Sequence, residues 1–384
     1  MVRLVRSGKS LHMVAERFHT SVNTVRLWVA RAAGRRLDRV DFSDREPGCM
    51  RGWNRLPVVF EQRIGELRRT LREESILGEY GAGAIQEALK AEMISGVPAI
   101  ATINRALSRQ GLQDGVRRIR RPPPPKGWYL PDVAAGRTEL DCFDWIEDLK
   151  IANGPLVQLL TGTALCGGEV DAWPEEKIST DAALAHLSGR WEQLGLPHYA
   201  QFDNEAVFQG AHQFADTVGR VSRLCLALGV VPVFAPPREP GFQNAIEGFN
   251  GLWQAKVWQR YRFEDFAQLA AASARYIAAH RARNATRREQ APPRRAFPPG
   301  FELDLNAPLR GTLIFLRRTD DNGRAHLLGR DFEVSTHWPH RLVRCEVDLS
   351  AQQIRFYALR RRDPADQPLL KQVTYHRAHK PFRG

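Results

Sequence analysis

The stretch HYAQFDNEAVFQG, residues 198 to 210, decides how the middle of the chain folds. Its first five residues have the pattern of a short buried strand. Asp203 follows at the exit of that strand, and Glu205 comes two residues later. An Asp-Asn pair in such a position is more often only a turn former. The stretch therefore fits either a plain turn or part of a metal site, and the rest of the chain must decide between them.

The composition narrows the class of protein. The 384 residues predict about two to four domains, and the net charge of +13 favours a polyanionic partner, either nucleic acid or an acidic membrane surface. The five cysteines stand alone, so neither a zinc ribbon nor a disulfide framework is indicated. No segment is apolar for long enough to suggest a membrane span or a secretion signal. We therefore expect a cytoplasmic protein that does not bind membranes.

Residues 1–36 predict a first helix-turn-helix. SLHMVAERFHTSVNTVRLWVARA has two stretches of helical spacing with a break at His19, and Ser21 can cap the second helix. A plain helical hairpin explains the same pattern equally well. As a helix-turn-helix, the second helix would present four polar side chains to DNA. These are Asn23, Thr24, Arg26 and Arg31.

Residues 57–112 predict a second domain like a helix-turn-helix, with Arg105 and Arg109 on its last helix facing DNA. A basic Pro-rich linker, residues 113–137, follows it. Four consecutive prolines there exclude a helix or a central strand and predict a stiff spacer. Four linker arginines suit a phosphate backbone. These are Arg117, Arg118, Arg120 and Arg121.

The protein is predicted to be a multidomain α/β protein, with residues 138–290 as its central domain. ELDCFDWIEDLKI, PLVQLLTGTAL and EVDAW have the pattern of three strands, and HYAQF and VVPVF then alternate with helices. The order β-β-β-α-β-α-β-α predicts a mixed sheet with helices on its faces. Sites in such sheets often lie at the carboxyl ends of strands, where Asp203 is expected.

Residues 308–384 predict a small all-β barrel or sandwich. GTLIFLRR, RDFEV, RLVRCEVDL and QQIRFYAL are short alternating strands separated by polar turns. Their many arginines suit a DNA-binding surface. A stabilising end domain with a solvated basic face is an equally good interpretation.

The search for a partner of Asp203 follows from the chemistry of phosphoryl transfer. Two-metal enzymes bring together carboxylates from distant elements, because Mg²⁺ prefers carboxylate oxygen. Two glutamates follow the Asp203 strand. Glu239 lies between prolines in a loop, whereas Glu247 lies on the polar face of a helix beside Asn250. Catalysis needs a rigidly held group, so we choose Glu247.

Asp141 and Asp144 compete to supply the third carboxylate. They are three residues apart on the first strand and therefore point to opposite faces. Asp144 lies between Phe143 and Trp145, and we favour it. Asp141 remains the alternative, and Glu147 is interpreted as a solvated side chain.

Three pieces of the chain resemble a known family. They are FDW (143–145), QFDNEAVF (201–208) and PREPGFQNAIEGFN (237–250). They resemble the insertion-sequence DDE transposases, which share the retroviral-integrase, RNase H-like catalytic core. The resemblance implies that Asp144, Asp203 and Glu247 form a DDE triad. That triad would bind two Mg²⁺ or Mn²⁺ ions and activate water, then a 3′-hydroxyl, against DNA phosphodiesters. The chain departs from the family at Glu205, where the family often has Gly.

The resemblance implies a transposase or integrase that binds terminal inverted repeats and target DNA as double strands. It would cleave and join DNA as at least a dimer, in the nucleoid of a bacterium. Lys256 lies beyond Glu247 on the same helix and is a further candidate for DNA contact. Two alternatives remain open: a DNA-binding regulator with an inactive integrase-like core, and a nuclease without strand transfer.

Overall fold

The computed structural model describes residues 1–43, 56–114, 127–152, 154–211, 214–239 and 241–377. The chain divides into two compact units, Met1–Arg63 and Ile64–Gly384. Within the described ranges, no helix is long and apolar enough to cross a membrane. Residues 115–126 of the Pro-rich linker lie outside these ranges. So do its four predicted DNA contacts, Arg117, Arg118, Arg120 and Arg121.

The first unit is a small helical module. The Ser21 hydroxyl caps the third helix by accepting the Thr24 N–H at 3.1 Å. His19, at φ 48°, turns the chain before that cap. Val14 of the second helix and Val25 of the third helix are buried between these two helices. The helices are α1 (Val2–Arg6), α2 (Leu11–Arg17), α3 (Val22–Arg31) and α4 (Val58–Glu74), which continues into the second unit.

The second unit begins with a pair of helices, α5 (Ala82–Ala91) and α6 (Ile100–Arg109). Their apolar stripes meet, so that Ile85 and Leu89 of α5 are buried with Ile103 of α6. Helices therefore occupy the stretch in which the sequence predicts a second helix-turn-helix. Its binding to DNA stays a prediction.

One mixed sheet of nine strands forms the centre of the second unit, in the order β11-β10-β9-β6-β5-β4-β1-β2-β3. The strands β1, β4, β5 and β6 are mutually parallel, and the other neighbours are antiparallel. The first five strands are β1 (Leu140–Lys150), β2 (Leu156–Ala164), β3 (Val170–Glu175), β4 (Tyr199–Phe202) and β5 (Val231–Phe234).

The C-terminal strands differ from the prediction of a separate barrel. Strand β6 pairs in parallel with β5, with Val233 opposite Ile314, and β9, β10 and β11 continue the same sheet. Strand β5 would otherwise leave its N–H and C=O groups unpaired at an edge. The remaining strands are β6 (Thr312–Arg318), β7 (Arg324–Leu327), β8 (Arg330–Glu333), β9 (Leu342–Asp348), β10 (Gln353–Ala358) and β11 (Leu369–Thr374), of which β7 and β8 form a separate ribbon.

Helices cover both faces of the sheet, and β1 contributes to both cores. Alternate residues of a strand point to opposite faces. Cys142 thus joins the core under α11 and α12, whereas Phe143 joins the core under α8 and α10. Asp144 shares the face of Cys142, and Asp141 shares the face of Phe143. The helices of this unit are α7 (Pro131–Ala134), α8 (Thr180–Leu194), α9 (Ala206–Gln209), α10 (Arg220–Ala227), α11 (Asn244–Trp253), α12 (Phe266–Arg283) and α13 (Ala285–Glu289).

Candidate active site

Two aspartates lie at matching positions of two neighbouring parallel strands. Asp144 lies in the middle of β1, and Asp203 directly follows β4. The paired register of these strands reaches Cys142 opposite Gln201. Two residues further along each strand stand Asp144 and Asp203. Strand pairing therefore brings the two carboxylates together from positions far apart in the sequence.

Asn250 ties helix α11 to strands β1 and β2 of the sheet. Its Nδ2 donates to Asp144 Oδ2 at 2.8 Å, and its Oδ1 accepts from the Thr161 hydroxyl of β2 at 2.8 Å. Both Asn250 and Thr161 are buried. Glu247 precedes Asn250 by three residues, so the two side chains share one helix face. The hydrogen bond to Asp144 therefore holds the helix that carries Glu247 against β1, while the Glu247 side chain itself is exposed.

The carboxylates of Asp144, Asp203, Glu205 and Glu247 are here called the cluster. The surroundings of Asp144, Asp203 and Glu205 oppose ionisation of these three groups. Burial raises the pKa of Asp144 to about 7, with further contributions from the negative charges of Asp203 and Glu247. Burial also raises the pKa of Asp203 and, together with the charge of Asp203, that of Glu205. Like charges close together disfavour the charged form, and a nearby cation would reverse this. The cluster therefore lacks the positive charge that would favour its ionised form.

Glu205 is a member of the cluster to which the sequence assigns no role. Its backbone N–H donates to Asp203 Oδ1 at 3.0 Å, and its side chain hydrogen-bonds the same carboxylate. The signal in the sequence was a glutamate at a position where the transposases that the sequence resembles often have glycine. Glu147 is exposed, as expected, but its charge still acts on Asp203 and Glu205.

The donor set of the cluster fits magnesium. Carboxylate oxygens are the ligands that Mg²⁺ prefers, and the cluster holds no His or Cys that would favour a softer metal. Within the described part of the chain, no three His, Cys, Asp or Glu side chains already stand in the arrangement of ligands around one ion. Mutual repulsion of carboxylates favours such a separation. Asp144, Asp203 and Glu247 are the residues that would hold the metal.

The alternative acid Asp141 and the loop acid Glu239 have different surroundings. Asp141 is fully buried and accepts hydrogen bonds from Arg190 Nε at 3.1 Å and from Arg294 Nη2 at 2.5 Å. Burial opposes its ionisation, but the two arginines prevail and lower its pKa to about 2. Glu239 is held by Arg318 Nε at 2.5 Å and Arg361 Nη2 at 3.2 Å. Both carboxylates are neutralised by arginine, unlike those of the cluster.

The predicted DNA contacts of the first unit lie on α3. Asn23 and Arg26 are exposed, and Arg26 donates to Asn23 Oδ1 at 3.2 Å. Thr24 is partly buried and belongs to the Ser21 cap. Arg31 donates to the Ser43 carbonyl at 2.9 Å and lies over the Trp28 ring. Contact of these four residues with DNA stays a prediction.

The predicted contacts of the second unit fall into two groups. Arg105 and Arg109 are both exposed on α6. Lys256 lies in a π-helical turn after α11. Its ammonium donates to the Gly78 carbonyl at 3.2 Å and lies 6.0 Å from the centre of the Tyr80 ring. Lys256 therefore holds the segment before α5 against the helix that carries Glu247.

Comparisons with known proteins give distant similarity to integrases. No protein-family model matches the chain, and no curated protein matches it. A solved structure of the simian T-cell lymphotropic virus intasome in complex with PP2A regulatory subunit B56 gamma is 12% identical, with a TM-score of 0.32, and covers 65% of this chain and 81% of its own. The catalytic core domain of BIV integrase is 15% identical, with a TM-score of 0.28, and covers 36% and 81%.

A third similar structure is the HTLV-2 integrase catalytic core domain in complex with magnesium, in its dimeric form. It is 12% identical, with a TM-score of 0.27, and covers 36% of this chain and 82% of its own. All three similarities are remote, so the function is argued below from the carboxylates and their surroundings.

Proposed function

We propose that this chain is a DNA transposase or integrase that performs metal-dependent cleavage and strand transfer. The observation that carries the proposal is the state of Asp144. Its carboxylate lies within the electrostatic reach of Asp203 and Glu247, has a pKa raised to about 7, and is oriented by Asn250. Carboxylates with a raised pKa, here Asp144 and Asp203 on neighbouring strands, are typical of a functional site rather than of a solvated surface.

The chain's own residues act as ligands and positioning groups in this proposal. Asp144, Asp203 and Glu247 would hold two Mg²⁺ or Mn²⁺ ions, and such ions would supply activation of an attacking hydroxyl and stabilisation of charge on the phosphate. Asn250 engages Oδ2 of Asp144 and so fixes the orientation of the carboxylate that would bind the cation. Thr161 fixes the amide of Asn250, so that its NH₂ group points at Asp144.

The remaining surfaces supply DNA binding. The basic composition favours a polyanionic partner, and α3 and α6 present Arg26, Arg105 and Arg109 to solvent. We propose that these helices read terminal inverted repeats and that two or more copies hold two DNA ends together. Lys256 is left out of this surface, because its ammonium is engaged by Gly78 and Tyr80.

The test is nicking and joining of linear DNA that carries the element's own ends, with Mg²⁺ or Mn²⁺. Wild type is compared with Asp203→Asn and Glu247→Gln, and Asp348→Asn on the opposite sheet edge is the matched control. We expect wild type and control to cut and join, and both site variants to bind the ends without cutting. Cutting that persists in Glu247→Gln would contradict the assigned triad. Cutting without joining would favour a nuclease.

A further inference from the structure

One edge of the sheet carries an acidic and a basic region side by side. Strands β4, β5, β6 and β10 all point the same way, since β9 is antiparallel to both β6 and β10. Their carboxyl ends therefore meet at one edge. Asp203 follows β4 there, and Arg318 ends β6. Arg360 and Arg361 come two and three residues after β10 ends.

The basic region, here called the arginine edge, consists of Arg318, Arg341, Arg360 and Arg361. All four side chains are exposed. Arg341 and Arg360 both lie against the ring of Trp338, with guanidinium carbons 4.6 and 5.5 Å from its centre. Arg360 also pairs with Asp366. The ring holds two guanidinium planes in place at the end of the sheet, and stacked arginines keep their hydrogen-bond donors for a planar or anionic partner.

A single carboxylate bridges the other two arginines. Glu239 accepts from Arg318 Nε at 2.5 Å through one oxygen and from Arg361 Nη2 at 3.2 Å through the other. The Glu239 side chain is only 15% exposed, whereas those of Arg318 and Arg361 are 45% and 48% exposed. The two guanidinium groups thus cover the carboxylate from the solvent side. Exposed pairs of this kind contribute little to folding stability.

The carboxylate belongs to the loop that enters the catalytic helix. Glu239 lies five residues after β5 ends and eight residues before Glu247. The same Arg361 that binds Glu239 also lies 5.3 Å from the ring centre of Phe242, which is buried at the end of this loop. Arg238, beside Glu239, adopts a positive φ of 57°, which is unfavourable for a residue with a side chain. The arginine pair therefore holds a strained loop.

We propose that Arg318 and Arg361 form a seat for a backbone phosphate of the DNA substrate, and that Glu239 occupies this seat while DNA is absent. Both a carboxylate and a phosphate present two oxygens to guanidinium groups, so one can replace the other. DNA whose scissile bond reaches Asp203 lays its neighbouring phosphates along the same sheet edge. The phosphate displaces Glu239 and frees the loop that leads to Glu247. This inference rests on the proposed action on DNA.

The experiment is a titration of the full chain against a short fluorescein-labelled duplex of generic sequence, followed by fluorescence anisotropy. EDTA is present, so no cleavage occurs, and the salt concentration is varied. The variants are Glu239→Gln, Arg361→Ala, Arg318→Ala and the combination of Glu239→Gln with Arg361→Ala. The control is Asp348→Asn, which neutralises an acid paired with Arg355 at the opposite edge.

We expect Glu239→Gln to tighten binding by about twofold to fivefold, the scale of one exposed ion pair, with an unchanged salt slope. Each arginine removed lowers the slope of log affinity against log salt by about one, because one phosphate contact is lost. In the Arg361→Ala background, Glu239→Gln gives a smaller gain. Asp348→Asn changes affinity less than Glu239→Gln does. Circular dichroism confirms that each variant is folded.

Two results would overturn the inference. One is Glu239→Gln binding DNA no better than wild type, which would make Glu239 a strut for the loop. The other is an equal gain in Asp348→Asn, which would reduce the effect to overall charge. The proposed activity is tested separately by cleavage with metal. If Glu239→Gln bound DNA more tightly but wild type did not cleave it, the phosphate seat would stand and the proposed activity would fail. If wild type cleaved DNA but Glu239→Gln bound it with unchanged affinity, only the phosphate seat would be ruled out.

Discussion

Two aspartates on β1, three residues apart, have opposite electrostatic surroundings. Asp141 is fully buried, yet Arg190 and Arg294 hold its pKa at about 2 despite the burial. Asp144 is less buried, yet burial and the charge of Asp203 raise its pKa to about 7. The strand sends the first side chain to the α8 face and the second to the α11 face.

The difference shows that burial by itself does not mark a functional acid. Around Asp141, the arginines continue into a network in which Arg190 also binds Asp171, and Arg281 binds Asp171 from α12. Asp141, Asp171 and Arg190 each have an opposite charge beside them. The Asp144 cluster instead gathers carboxylates and has an amide, Asn250, as its hydrogen-bond donor. Such an arrangement lacks positive charge, which a divalent cation would supply in the function proposed above.

The largest expected effect separates the two aspartates by activity. Asp144→Asn should lower metal-dependent DNA cleavage by on the order of 10⁴-fold, the scale seen when one member of a catalytic unit is removed. The variant should stay folded and bind DNA, since Asn250 can still donate to the remaining oxygen. Single-turnover cleavage of labelled DNA measures the effect. Activity within tenfold of wild type, a threshold of about 1.4 kcal/mol, would return Asp141 to consideration.

The second effect concerns stability. Asp141→Asn leaves Arg190 and Arg294 with less negative charge in a buried site, which should cost about 3–5 kcal/mol of unfolding free energy. Urea unfolding followed by circular dichroism measures it, with the exposed Asp363→Asn as control. A variant as stable as wild type would show that Asp171 alone can balance Arg190.

A third effect tests the role of Asn250 in positioning Asp144. Asn250→Ala should weaken Mn²⁺ binding by about 10–100-fold, the usual range when a group that orients a metal ligand is lost. Asn250→Asp keeps the shape but adds a negative charge, so it should also impair cleavage while binding Mn²⁺ more strongly than Asn250→Ala does. Calorimetric titration of Mn²⁺ distinguishes these cases. Equal Mn²⁺ affinity in wild type and Asn250→Ala would make the hydrogen bond a packing contact only.

The smallest effect is a pH dependence of the metal-free protein. The folded pKa of Asp144, about 7, lies above its ordinary value of 3.8. Between these values the folded state binds more protons than the unfolded chain, so stability is fully present below about pH 4 and falls as pH rises through about 7. Asp144→Asn removes this loss and should raise the unfolding free energy at pH 8 by about 1–2 kcal/mol, discounted for partial exposure.

Thermal unfolding at pH 5 and pH 8, with EDTA, measures this difference. Wild type should gain more stability than Asp144→Asn when Mg²⁺ is added at pH 8, because the cation replaces the protons. If the unfolding free energy of wild type, relative to that of Asp144→Asn, rose between pH 5 and pH 8, this result would contradict the raised pKa.

Local patterns predicted the helices and strands of the core well. The alternation of ELDCFDWIEDLKI and the strand HYAQF correspond to β1 and β4, and the stripe Ile246, Phe249 and Trp253 forms the buried face of α11. These patterns are local, since period 2 and period 3.6 follow from backbone geometry. The DNA-binding roles of α3 and α6 stay predictions.

The sequence by itself determined the identity of the carboxylates, the faces on which they stand and the basic charge of the chain. Tertiary structure decided which carboxylates lie close enough to act on one another's pKa and which are paired with arginine. The register of β1 with β4 brings Asp144 beside Asp203, and the pairing of β6 with β5 places Arg318 beside Glu239 instead of in a separate barrel. Pairing between strands far apart in the chain depends on the whole sheet, and charge interactions depend on distance in space rather than along the chain.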